Sequence, residues 1–120
     1  MTATNKSVLE ILQQSQDTVS GGNLTKELVA ATSAVTRTAS STLTTTILAS
    51  NANRLNAVIF NESTSLLYLK FGATATNTSY TVQLSSNAYY EIPTAHVYTG
   101  VIDGIWVAAN GAAMATELTA

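Results

Sequence analysis

No cysteine occurs in this chain of 120 residues, which excludes a disulfide framework and any thiolate metal site. Proline and histidine occur once each, at Pro93 and His96, so no histidine pair is available to hold a metal. Charge is scarce as well: 10% of the residues are charged, against about 25% in an average soluble domain. The net charge is −2, and the five cations Lys6, Lys26, Arg37, Arg54 and Lys70 are spread singly. No cationic stripe exists along which a phosphate backbone would lie, so nucleic acid is not an expected partner. No basic segment followed by an apolar one opens the sequence, and no run approaches the ~18 apolar residues of a membrane span. Neither a signal peptide nor a membrane anchor is expected, and the product starts out in the cytoplasm.

What fills the deficit is threonine, alanine, serine and asparagine, together with a hydrophobic fraction of 46%. That is enough for one modest core and too little chain for two ordinary domains. A polar but nearly uncharged surface is solvated by water, yet little repulsion keeps copies apart. This composition suits a subunit that packs against neighbours.

Two regions differ in period. In residues 1–16 Ser7 precedes Glu10 at capping-box spacing, and Val8, Leu9, Ile11 and Leu12 follow as the apolar patch of a helix too short to persist alone. "SGG" at Ser20 to Gly22 breaks the chain. Leu24, Leu28, Ala31 and Val35 then recur at helical spacing among β-branched residues, consistent with helix or extended arm. Residues 1–40 are therefore expected to be an N-terminal arm, with Val8, Leu9, Ile11, Leu12, Leu24 and Leu28 contacting a partner and not the chain's own module.

From Ser41 the period is two. Short runs such as "LNAVIF", "SLLYLKF", "SYTVQL", "AYYEI" and "VIDGIWVA" are separated by turn residues, the spacing of an all-β sandwich. The expectation is a β-sandwich of about seven to eight antiparallel strands over residues 41–120, with Phe60, Leu67, Leu69, Val82, Leu84, Ile105 and Val107 in its core. Asn110-Gly111 reads as a type I′ hairpin turn between the last two strands, and Pro93 ends the strand that precedes it. In "AYYEI" successive residues face opposite sides, so one tyrosine points outward as an interface anchor.

Candidate chemistry is thin. His96 with Asp103 or Glu91 is the available start of a hydrolytic triad, but no serine stands in a nucleophile-elbow turn. Glu62 and Glu91 are a nominal glycosidase pair that nothing in the spacing selects. Asp103 with backbone carbonyls is a conceivable structural calcium site, without an Asp-x-Asp-x-Asp loop to support it. Asn5, Asn23, Asn61 and Asn77 begin Asn-x-Ser/Thr triplets that an Asn/Ser/Thr-rich chain produces by chance. No enzyme, no cofactor and no metal are expected.

Beyond these, "RLNAVIFNESTSLLYLKFGATATNTSYTVQL", "YYEIP" and "YTGVIDGIWVAANGAAMATEL" together resemble a small module found in structural proteins of tailed bacteriophages. In that family Asn-Arg and a later Phe-Asn-x-Ser lead into Leu-Tyr-Leu-Lys-Phe-Gly, and Tyr-Thr-Gly-x-Ile-x-Gly-Ile-Trp precedes Gly-x-Ala-x-x-Thr-Glu. The matching positions are Asn53, Arg54, Phe60, Asn61 and Ser63, then Leu67 to Gly72, Tyr98 to Gly100, Ile102, Gly104 to Trp106, Gly111, Ala113, Thr116 and Glu117. The resemblance spans just over half the chain and leaves the arm unmatched. It implies a virion β-sandwich and says little about whether the module sits on the head, neck, tail or a fibre. The layout of a compact β-module with an extended arm favours a capsid cement or decoration protein that binds the major capsid protein and stabilises the head shell. A neck, baseplate or tail-fibre component is the alternative, and a carbohydrate-binding module is a third reading. Self-association, with a trimer favoured, and a virion location after assembly in the host cytoplasm complete the expectations.

Overall fold

The computed structural model describes residues 29–120, and all of the described elements are strands. In chain order they are β1 (Thr32–Ala39), β2 (Thr45–Leu48), β3 (Asn56–Glu62), β4 (Leu67–Phe71), β5 (Val82–Leu84), β6 (Tyr89–Glu91), β7 (Ile102–Trp106) and β8 (Ala112–Thr119). They form two four-stranded sheets, ordered β1-β8-β3-β6 and β2-β7-β4-β5, and every strand pairing is antiparallel. The pairs β1 with β8, β2 with β7, β3 with β6 and β4 with β5 are nested. The chain is thus one long hairpin, turned between β4 and β5 and rolled so that its arms fall into two packed sheets, which is the connectivity of a jelly roll.

Alternation decides what lies between the sheets. Ala57, Ile59, Leu67, Leu69, Leu84, Ile102, Trp106, Ala113 and Ala115 are buried in one cluster with Ile47, Leu48 and Ile92, each from the inward positions of a period-two strand. Leu67, Leu69 and Leu84 are where the sequence puts them. Val82 shares the inward side of β5 with Leu84 and is half-buried against the core, whereas Phe60 and Ile105 are half-buried on the outer faces and Val107 is 62% exposed. The cause is phase: Ile59 and Asn61 point inward, so Phe60 points out, and Trp106 takes the inward place that leaves Ile105 and Val107 on the outer face.

Two further expectations change. Asn110-Gly111 is no hairpin turn, because β7 and β8 lie in different sheets and the segment crosses between them. Among the described residues positive φ occurs at Asn87 and Gly72, not at the pair a type I′ turn would need. Gly111 serves close approach instead: a Cβ there would overlap the Glu62 carbonyl oxygen and lie 2.6 Å from Ser63 Cα. The sandwich also begins inside the segment assigned to the arm. β1 pairs with β8 from Thr32↔Thr119 to Ala39↔Ala112, so those eight residues contact their own module. The expected helix, and with it Val8, Leu9, Ile11, Leu12, Leu24 and Leu28, lies outside the described residues.

Candidate functional site

Three buried polar clusters absorb the residues that looked most like a site. At the first, Arg54 is fully buried and every arm of its guanidinium is engaged. Nε donates to Glu117 Oε2 at 2.7 Å, Nη1 to the carbonyls of Tyr98 and Gly100 at 2.8 and 3.0 Å, and Nη2 to the Ala49 carbonyl at 2.7 Å. Asn51 Nδ2 holds the other oxygen of Glu117 at 3.0 Å. The cluster pins the β2–β3 and β6–β7 connections to β8. Such a charge is tolerated inside because it is paired and three backbone carbonyls take further protons of the guanidinium.

At the second, Asn61 is fully buried between the sheets. Its Nδ2 donates to the carbonyls of Ser65 and Leu84, both at 2.9 Å. Its Oδ1 accepts from Ser63 Oγ at 2.7 Å and from the Trp106 indole N–H at 3.1 Å. The tryptophan is therefore a core residue with its polar atom satisfied, not an exposed stacking surface. Tyr98 is likewise internal, stacked on Phe71 with centroids 4.8 Å apart.

At the third, Asp103 accepts hydrogen bonds from Thr46 Oγ1 at 3.2 Å and Thr44 Oγ1 at 3.4 Å. Lys70, its register partner on β4, sends Nζ instead to Ser79 Oγ and the Thr74 carbonyl. An ammonium on the adjacent strand and two hydroxyl donors already on the carboxylate make poor surroundings for calcium.

The nominal catalytic groups do not converge. His96 is exposed and shares no hydrogen bond with Asp103 or Glu91; the latter accepts from Asn56 Nδ2 at 2.8 Å. Glu91 lies opposite Val58, four residues along β3 from Glu62, a separation of about 13 Å along the strand. That exceeds the ~5–9.5 Å between the carboxyl groups of glycosidases. Among the described residues no three of His, Asp and Glu cluster as metal ligands. Among the described residues a cleft of about 630 Å³ is lined by Ala30, Leu55, Val97, Thr99 and Leu118, and its one charged side chain, Arg54, is already spent.

What remains is surface. On the outer face of the first sheet, registers align Arg37, Met114, Phe60 and Tyr89 in a row across all four strands. Beside it runs Val35, Thr116, Val58 and Glu91. Val35 is 60% and Tyr89 69% exposed, so Tyr89 is the outward tyrosine while Tyr90 packs against the core. Charge on this face is limited: Arg37 pairs with Glu62 at 3.5 Å, both well exposed. The outer face of the second sheet carries Tyr68, Ile105 and Val107, with Tyr68 and Tyr80 in tilted contact at 4.9 Å and Gln83 donating to the Tyr80 hydroxyl.

Five of the resemblance residues, Arg54, Asn61, Ser63, Trp106 and Glu117, thus serve to close the fold. Comparison with protein families, curated proteins and solved structures finds no match to this chain.

Proposed function

We propose that this chain is a structural protein of a tailed-bacteriophage virion, and in particular a capsid cement or decoration subunit that binds the major capsid protein and stabilises the head shell. The observation that carries the reading is the outer face of the first sheet. Two cross-strand rows place Val35, Val58, Phe60, Met114 and Tyr89 on a wide face whose charges are the Arg37–Glu62 pair and Glu91, the latter at the β6 edge. A face of that kind binds by apolar burial and aromatic anchoring, with little dependence on salt. Among the described residues the buried polar groups are spent on holding the fold, which suits adhesion through the surface. The jelly-roll connectivity is a fold-level analogy in the same direction, since capsid and lectin domains both use it.

On this reading the protein acts in the virion as a homo-oligomer, after assembly in the host cytoplasm, with neither nucleic acid nor membrane as partner. The test adds purified protein to shells that lack it and locates it by labelling and electron microscopy. Tyr89→Asp should fold normally and lose most of its occupancy, because truncating an aromatic anchor at an interface costs about 2 kcal/mol or more. Full occupancy by that variant would refute the assigned face. Location on the neck, baseplate or a fibre would replace cement by the neighbouring structural role. The Tyr68–Tyr80 pair with Gln83 favours a second reading, a carbohydrate-binding module, which saturable glycan binding lost in Tyr80→Ala would support.

A further inference from the structure

Among the described residues four strands end a sheet, and three of these edges are blunted. β5 and β6 have three residues each, and β2 has four with a register break between Thr46 and Leu48. Short or bulged edges are poor templates for further pairing. β1 is different: eight residues in unbroken register, with no proline and one charge.

Its available backbone groups follow from the pairing it already makes. Ser40 donates its N–H to the Gly111 carbonyl at 2.9 Å, and the register then runs without interruption to Thr32↔Thr119. In an antiparallel ladder such bonds alternate, so even-numbered residues of β1 are bonded to β8. The N–H and C=O groups of Ser33, Val35, Arg37 and Ala39 point away from the sheet, on a strand exposed over nearly its whole length.

The geometry points to a second copy of this chain as the occupant: two β1 strands pair antiparallel about a two-fold axis and join two four-stranded sheets into one of eight strands. The strand is complementary to itself in one register. Centring on Thr36 sets Ser33 against Ala39 and Val35 against Arg37 of the second copy, so all eight outward backbone groups of each strand are used. Centring on Arg37 would oppose two guanidinium groups, and centring on Val35 would leave Ala39 without a partner. In the favoured register the stem of Arg37 covers Val35 of the other copy, while Glu62 at 3.5 Å balances its charge. The apolar rows of the outer face then continue across the joint. This contact is isologous and closes at two copies, whereas composition alone favoured a trimer.

The absence of cysteine allows a direct test on the full chain. The two Thr36 residues face each other at a non-hydrogen-bonded position, with Cα atoms about 4.5 Å apart, inside the range a disulfide spans. Thr36→Cys should therefore oxidise to a covalent dimer, while Val35→Cys and Thr78→Cys, the latter in the β4–β5 connection, should remain single chains on a non-reducing gel. The unmodified protein should sediment at twice the chain mass. Val35→Lys, which sets a like charge against Arg37, should halve that mass and leave a cooperative unfolding transition whose midpoint no longer depends on protein concentration. Val35→Pro should do the same, because it removes a donor that β8 does not use. A monomeric unmodified protein would overturn the inference, as would a Thr36→Cys variant that cross-links no better than Thr78→Cys, the result expected if residues 1–28 or an unrelated chain occupy the edge. Cross-linking through Val35→Cys in place of Thr36→Cys would overturn the register.

Discussion

Replacing Glu117 by Gln tests whether the Arg54 cluster holds the sandwich closed. The Arg54 side chain is fully buried and that of Glu117 is 17% exposed. The substitution keeps shape and removes the negative charge that faces Nε at 2.7 Å. Breaking a buried pair by removing one partner costs about 3–5 kcal/mol. Here the carbonyls of Ala49, Tyr98 and Gly100 continue to solvate the guanidinium, and Glu117 is partly wet, so the lower end, about 3 kcal/mol, is expected. Against a total of about 5–15 kcal/mol for a domain, this is a large fraction. It corresponds to a fall in Tm of roughly 12–24 °C at about 4–8 °C per kcal/mol for a domain of this size. Arg54→Met should cost a similar amount, because those three carbonyls lose their donor at about 1–3 kcal/mol for each group left unsatisfied. The double variant should cost less than the sum of the two, with a coupling of about 0.5–3 kcal/mol. Urea and thermal unfolding followed by circular dichroism measure all three. A Glu117→Gln protein within about 0.5 kcal/mol of the original, the range of ordinary surface substitutions, would refute the structural role given to the cluster.

Asn61→Leu should lower stability by at least about 2 kcal/mol, since it strips donors from the Ser65 and Leu84 carbonyls and an acceptor from the Trp106 indole; an unchanged urea midpoint would contradict this. His96→Ala should assemble and unfold like the parent within about 0.5 kcal/mol, as expected of an exposed side chain without a partner, and loss of a measurable turnover would argue for an enzyme. Removing residues 1–28 should leave a cooperative unfolding transition, whereas removing 1–40 strips β1 from β8 and should abolish or sharply weaken it. Equal stability of the two truncations would show that β1 contributes little to the sandwich.

The strands were legible where one face is apolar and the other is not. In "SLLYLKF" the alternation of Leu67 and Leu69 with Tyr68 and Lys70 fixes both strand and phase. In "LNAVIF" both faces are apolar, and what selects Ile59 over Phe60 is the burial of Asn61, whose partners lie up to 45 residues away in sequence. "TSAVTRTA" shows no such contrast because both faces of β1 are exposed, and the helical spacing of a few apolar residues left helix and extended arm both open there. Asn110-Gly111 carries a strong local turn signal, yet its glycine answers a packing demand from Glu62 and Ser63. The resemblance brought Arg54, Asn61, Trp106 and Glu117 into view, but no pattern in the sequence says that they hold one another.

The nested pairing of the strands has a kinetic consequence. β8 stands between β1 and β3 and is the last of the eight to leave the ribosome, so the first sheet has no centre until translation of the module is finished. Its closure joins Thr32 to Thr119, and long-range pairings of this kind place a chain among the slow folders, on the scale of milliseconds to seconds. Until then β1 and the β8-facing edge of β3, whose other edge pairs with β6, remain open in a crowded cell. The interval before β8 arrives is when a nascent copy is most exposed to strand exchange with its neighbours, and chaperones that shield open strand edges would shorten that exposure.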